Sequence, residues 1–163
     1  MSSRLSDAHT AGFGGIVPHA VVAKAATVAE RAQYAALPIR TRPDGEIDVL
    51  LVTSRETRRW IVPKGWPERG LAGHEVAAKE AFEEAGVKGR IGAEPLGSYL
   101  YRKRLRDGST VACEVTVFPL VVRQEAKKWP EARQRERRWA GLSEAAMMVD
   151  EPGLVTLLLS LQD

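Results

Sequence analysis

An α+β domain with a mixed sheet held between helices is the fold this sequence predicts, and three observations predict it. Strand-like stretches rich in β-branched residues fall into two groups, one on each side of a helical segment near the middle of the chain. Turns containing Asp-Gly join the strands within each group. Two further helical segments follow at the end. No internal repeat interrupts this order, and 163 residues suit a single core.

Residues 1–30 show no clear period and read as an N-terminal arm, partly flexible, with a short helix around Val22 to Arg31. Residues 31–163 read as the folded domain. Tyr34–Arg40 reads as a strand, and Pro38 places it at an edge or a bulge, where a missing N–H is tolerated. Pro43-Asp44-Gly45 is a turn and Ile47–Thr53 is strongly β-branched, so residues 34–53 form a predicted hairpin. Trp60–Val62 is a short strand. The stretch 63–73 holds Pro63, Gly65, Pro67, Gly70 and Gly73, the punctuation of a loop. A helix follows from about His74 to Ala85, with Gly86 suited to a left-handed C-cap. Leu96–Leu105 and Thr110–Val122 are strands joined by the Arg106-Asp107-Gly108 turn. A charged, proline-broken stretch covers 123–136, and Arg137–Ala140 is a short strand. Ser143 can cap a helix reaching about Val149, and Pro152 opens a last helix through Leu161.

Composition narrows the functional classes. Apolar residues make up 44% of the chain, ordinary for a globular protein, so disorder is not expected. No run approaches the ~18 uninterrupted apolar residues of a membrane span, and no membrane partner is expected. The apolar stretch from Gly12 to Val28 is broken by Pro18, His19 and Lys24, and Arg4 alone precedes it as a positive leader, a poor match to a signal peptide. Cys113 is the only cysteine, which rules out an internal disulfide and is compatible with a cytoplasmic location. In its apolar stretch it reads as a buried structural thiol. The net charge is +3, with basic clusters at 102–106 and 127–138. Such clusters suit a polyanionic partner, and a solvated surface interleaved with Glu125, Glu131 and Glu136 explains them equally well. A nucleic-acid protein would call for an aromatic-rich platform motif or a zinc pattern, and the sequence has neither.

The helix at 74–85 carries the chemistry. Glu80, Glu83 and Glu84 stand at i, i+3 and i+4 and share one face, while Ala78, Ala81, Phe82 and Ala85 suit a face against the sheet. Like charges at this spacing repel, and they sit in the C-terminal half, where the helix dipole disfavours anions. A solvated face would more naturally interleave lysines. A hard divalent cation offers the missing compensation, because Mg²⁺ takes oxygen ligands and keeps waters that a phosphate can displace. An exposed Glu-rich face is the plainer alternative.

At these residues the chain resembles the Nudix hydrolases, whose signature is G-x5-E-x7-R-E-U-x-E-E-x-G-U, with U apolar. Gly65 fills the first glycine, and Lys79 to Val87 fill the end in register, so the 23-residue frame fits without a gap. Two positions depart: Leu71 stands where the family has Glu, and Lys79 where it has Arg. In the family that pair chiefly braces the loop on the helix, so the resemblance implies a replaced brace here. Ile47–Arg55, Arg59–Gly65, Ala85–Gly89 and Trp129–Trp139 look like the diphosphoinositol polyphosphate and diadenosine polyphosphate phosphohydrolase branch.

The resemblance implies an α/β/α sandwich with a central mixed sheet, Mg²⁺ or Mn²⁺ as cofactor, and hydrolysis of a diphosphate linkage in a phosphate-rich small molecule. Diphosphoinositol polyphosphates and dinucleoside polyphosphates are the substrates implied by that branch. ADP-ribose, nucleoside triphosphates and RNA 5′ ends, or a Nudix module that senses a nucleotide or polyphosphate without cleaving it, are the alternatives. Glu80, Glu83 and Glu84 become catalytic and metal-binding candidates, with the Lys64 main-chain carbonyl as a further ligand. Either Glu80 or Glu84 could accept the proton, and Glu114 or a Glu of the 123–136 stretch could serve instead; on its strand Glu114 reads more simply as facing solvent. Arg55 matches a phosphate-contacting arginine of the inositol branch, and Lys64 could reach the same anion. Arg40, Arg102, Lys103, Arg104, Arg135 and Arg137 are weaker phosphate candidates for which a solubilising role is the simpler reading. Trp60 reads as a core residue. Trp66, in the loop, either stacks on a base or covers the loop beside Leu71.

Overall fold

A computed structural model describes residues 29–162 of the chain. Eight strands build one sheet: β1 (Arg31–Thr41), β2 (Ile47–Thr53), β3 (Trp60–Ile61), β4 (Lys64–Gly65), β5 (Val87–Ile91), β6 (Gly97–Arg104), β7 (Thr110–Glu125) and β8 (Arg137–Gly141). Among the described residues three helices accompany them: α1 (Gly73–Ala85), α2 (Leu142–Met148) and α3 (Pro152–Ser160). The spine of the sheet runs β3-β2-β1-β7-β5, with β8 on β2, β6 on β7 and β4 on β1. The β1–β7 pair is parallel, Arg31 opposite Cys113 through Ile39 opposite Val121, and the named pairs around it are antiparallel. The predicted hairpin is present, with Ile39 opposite Val49 and Thr41 opposite Ile47.

Strand alternation splits the core into two layers. On one face Ala36, Leu50, Val52, Phe118 and Leu120 pack on Ala77, Ala81 and Ala85 of α1. On the other, Ala35, Leu37, Val49, Leu51, Val115 and Val117 pack on α2 and α3 through residues such as Ala145, Leu154 and Leu158. The result is an α/β/α sandwich around a mixed sheet, as expected. Among the described residues no helix is long and apolar enough to cross a membrane.

Several expectations are corrected. Pro38 lies in an interior strand, between β7 and the β2/β4 side. The Ala36 N–H donates to the Pro63 carbonyl, and two residues on the Pro38 nitrogen points the same way, into the gap between the β4 and β2 pairings, where no donor is needed. The 63–73 loop contains β4, and Val87–Ile91 forms a strand on β7. The buried stripe of α1 uses Ala77 rather than Ala78. Ser143 lies inside α2, whose N-cap is Gly141. The helix expected around Val22 to Arg31 lies outside the described residues up to 28, and Arg31 itself opens β1.

Candidate active site

The site forms where β4 crosses the carboxylate face of α1. Glu75 accepts a hydrogen bond from the Ala72 N–H at 2.7 Å and fixes the start of the helix. Gly86 ends it in the left-handed conformation, φ 69°. Trp129 and Arg137 close over that end: the Trp129 indole N–H donates to the Glu84 carbonyl at 3.1 Å and Arg137 Nη1 to the Ala85 carbonyl at 2.9 Å. Arg137, stacked 3.9 Å over the Trp129 ring, therefore caps the helix with positive charge and is not left to bind phosphate.

Glu84 follows Ala81 by three residues, so it lies at the margin of the buried stripe. Its Oε1 accepts from the Lys64 N–H at 3.2 Å, and its Oε2 lies 3.4 Å from Arg135 Nη2. The Arg135 side chain is only 7% exposed and also donates to Glu131 Oε1 at 2.7 Å and to the Thr53 carbonyl at 3.0 Å. Arg135 is thus an internal counter-ion shared by Glu84 and Glu131, which corrects its reading as an exposed, phosphate-seeking residue. Burial raises the Glu84 carboxyl to about 7 in spite of Arg135 and Lys64, which pull it down.

Glu80 stands against Gly65. A Cβ at Gly65 would lie 2.6 Å from Glu80 Cδ, so glycine here is what leaves the Glu80 carboxyl its place against the loop. Burial, then repulsion from Glu84, Glu83, Glu131 and Glu68, raises Glu80 to about 7. The Glu131 N–H donates to the Glu83 carbonyl at 3.0 Å, which places Glu131 beside the helix. Sequence reasoning left Glu131 among several glutamates of the 123–136 stretch; its half-buried position beside α1 arises only from tertiary packing.

The donor set suits a hard divalent cation. Several carboxylates share one low-dielectric corner, their mutual repulsion shows in Glu80, and the Lys64–Gly65 backbone approaches without a side chain in the way. Among the described residues no three such side chains enclose an ion as they stand. One or two carboxylates plus substrate oxygens are sufficient for Mg²⁺.

The other candidates divide by position. The Lys64 ammonium lies 5.0 Å from the Tyr101 ring centre, and burial lowers it to about 8 against the opposing pull of Glu84 and Glu151. Trp66 is exposed at the same end, with Arg31 at 5.5 Å and Lys103 at 5.9 Å from its ring centre. Arg55 hydrogen-bonds Gln134 at 3.2 Å, next to Arg135. Arg102 donates to Thr110, and strand alternation turns it to the face opposite Lys103. Arg40 is paired with the buried Asp48 at 3.1 Å and stacked over Trp139, toward the far end of β1 from the Tyr34–Ala35 pairing with β4. The structure therefore brings Lys64, Trp66, Lys103 and Arg55 to the rim and leaves Arg40 and Arg102 apart. Glu114 is exposed, as expected.

The family model for the NUDIX domain matches residues 31–158. The chain belongs to the Nudix family. It is 38% identical over 103 residues to Nudix hydrolase 12, mitochondrial, of Arabidopsis thaliana, covering 61% of this chain and 51% of that protein. It is 34% identical over 107 residues to diphosphoinositol polyphosphate phosphohydrolase 3-beta of Bos taurus, covering 64% of this chain and 61% of that protein. The chain thus spans about half the length of the first of these relatives. Among solved structures it is similar to a binary complex of Ap4A hydrolase from C. elegans, with a TM-score of 0.61 and 19% identity over 80% of this chain and 94% of the other.

Against the Nudix signature, the two departures now have a structural counterpart. Lys79 Nζ donates to both carboxylate oxygens of Glu68, at 2.8 and 2.9 Å. Glu68, three residues before Leu71, ties the loop to α1, while Leu71 is left exposed. The longer spacing, 11 residues instead of the motif's eight, hid this partner from a fixed motif.

Proposed function

We propose that this Nudix chain is a divalent-metal-dependent pyrophosphohydrolase acting on a phosphate-rich small molecule, a diphosphoinositol polyphosphate or a dinucleoside polyphosphate. The observation that carries the reading is the meeting of Glu80 with the Gly65 backbone while Glu84 is locked on the Lys64 N–H. Glu80, Glu83, Glu84 and the Lys64 carbonyl would hold Mg²⁺ or Mn²⁺. When bound, such an ion supplies positive charge that screens phosphate oxygens and acidifies water.

The chain's own groups supply the rest. Glu84 has both oxygens engaged and acts as a fixed anchor. Glu80, held near neutrality by burial and neighbouring carboxylates, is the better proton acceptor of the two. Lys64, Lys103 and Arg55 line the rim as anion partners, with Trp66 among them. A reducing compartment such as the cytoplasm suits the lone buried thiol of Cys113.

The test is a phosphate-release assay with Mg²⁺ on the wild type, Glu83→Gln and Glu84→Gln. Each substitution is expected to lower kcat/KM by roughly 100-fold or more, the scale of losing one fixed charge-stabilising group. Equal, metal-independent turnover in all three proteins would remove the reading.

A further inference from the structure

Arg58 has a left-handed backbone, φ 57°, and no other non-glycine residue among the described ones does. It lies near the end of the connection between β2 and β3, and that loop closes on itself. The Ser54 N–H donates to the Arg59 carbonyl at 2.8 Å, the Arg58 N–H to the Ser54 carbonyl at 3.1 Å, and the Arg59 N–H to Ser54 Oγ at 3.1 Å. Closure asks only for a residue that tolerates the left-handed region, and glycine does so at no steric cost. An arginine there is strained, and such strain gathers where a side chain is put to use.

The side chain has a definite partner. Arg58 Nη1 donates to the Gln134 main-chain carbonyl at 2.8 Å, while Gln134 Oε1 accepts from Arg55 Nη1 at 3.2 Å. Two arginines of one loop thus meet on the main chain and the side chain of one glutamine. Gln134 is in turn tied to the carboxylate helix: its N–H donates to the Glu131 carbonyl at 2.9 Å, and the Glu131 N–H to the Glu83 carbonyl of α1 at 3.0 Å. The next residue, Arg135, lies 3.4 Å from Glu84 Oε2. Beyond it Thr53 holds Glu136 by two bonds, at 3.0 and 2.9 Å. A line of direct contacts therefore runs from Glu83 and Glu84 through residues 131–135 to Arg55. Arg55, Arg58 and Gln134 are all exposed, so that line ends on accessible surface. Gln134 takes one N–H of Arg55, and a guanidinium has five, which leaves donors for a phosphate oxygen.

We infer that Gln134 and Arg58 are positioning residues that together hold Arg55 at a fixed place relative to the carboxylate corner, where its guanidinium anchors a phosphate group of the substrate. The inference rests on the proposed function for Arg55 as an anion partner and adds what aims it. A free arginine side chain gives up rotamer freedom when it binds a ligand. One already held by Gln134 gives up less, so the pair lowers KM without entering the chemical step.

The experiment measures steady-state phosphate release by the full chain with Mg²⁺, on diadenosine tetraphosphate and on a diphosphoinositol polyphosphate. Gln134→Leu removes the amide and keeps the main-chain carbonyl. Arg58→Asn removes the guanidinium and tolerates the left-handed backbone. Each is made alone and together with Arg55→Met; all three positions are exposed, so the variants should fold. On the substrate that wild type cleaves, Gln134→Leu and Arg58→Asn are each expected to raise KM about three- to tenfold, the worth of one hydrogen bond to a charged group, with kcat changed by less than about twofold. In the Arg55→Met background neither should raise KM further, because the group they aim is gone, and a merely structural role would not show that non-additivity. Effects that add to that of Arg55→Met, an unchanged KM, or a loss confined to kcat overturns the inference and leaves the hydrolase reading intact. An unchanged KM in Arg55→Met removes the anion-partner role of Arg55 and the inference with it. If wild type cleaves neither substrate, the hydrolase reading falls. Calorimetric binding of methylene-bridged diadenosine tetraphosphate to the same proteins then decides: non-additive losses of affinity support the aiming of Arg55, and additive or absent ones overturn it.

Discussion

At Gly65 one absent methyl group makes room for the Glu80 carboxyl against the loop. The Glu80 carboxyl fills the space that a Cβ would take, 2.6 Å from Cδ and 2.7 Å from Oε1. Gly65 has no positive φ, so the need for glycine is one of approach and not of backbone conformation. Gly65→Ala is expected to push Glu80 aside and lower kcat/KM by roughly 100-fold, the penalty of misplacing a reacting group by about 1 Å. Because Glu80 is flexible and partly exposed, it can yield, and the melting temperature should move by only a few degrees. Steady-state kinetics alongside thermal unfolding separates the two effects. A Gly65→Ala protein with full activity would show that the Glu80 position does not matter to the chemistry.

The loop and α1 act as one element only if something ties them together, and here the tie is Lys79 to Glu68. The pair is exposed, so its worth to overall stability is small. Its worth to activity is larger, because Lys79 directly precedes Glu80 on the helix and Glu68 lies in the loop that follows Gly65. Glu68→Lys and Lys79→Glu are each expected to lower kcat/KM by about 10-fold, the scale at which supporting contacts act. The double reversal should recover most of it. Failure of the double variant to exceed either single one would refute the tie. The sequence disclosed α1, its carboxylate face and the hairpin, because strong periodicity and turn chemistry are local. It did not disclose β4 or β5. One is two residues long, and the other, Val-Lys-Gly-Arg-Ile, has an exposed, charged centre whose strand form depends on pairing with β7. Glu68, 11 positions from Lys79, falls outside the motif's spacing, and Arg135 and Arg137 were misread, since an ion pair or cap between segments dozens of positions apart leaves no periodic trace. Glu84 shows the limit from the other side: its membership of the carboxylate face was readable, but its burial was not.

For the molecule as a whole, the carboxylate corner couples stability to protons and to metal. Glu80 and Glu84 are both raised from 4.5 to about 7 in the folded chain. Unfolded, they release protons near 4.5; folded, they hold them until about 7, so the folded state binds more protons in that window. Their contribution is therefore most favourable below about 4.5 and is lost as pH rises through about 7, where two buried charges remain near Glu83 and Glu131. A divalent ion replaces those protons with its own charge. The metal-free protein should accordingly give up more stability between about pH 5.5 and 8 than Glu80→Gln does. Mg²⁺ should raise the melting temperature far more at the higher pH, with stabilisation approaching about 2.7 kcal/mol at 100 times its dissociation constant. Thermal unfolding at both pH values, with and without Mg²⁺, measures all of this without any substrate. A Mg²⁺ response that is larger at the acid end, or that survives intact in Glu83→Gln and Glu84→Gln, would mean that the ion binds elsewhere and that the crowding of carboxylates on α1 has another cause.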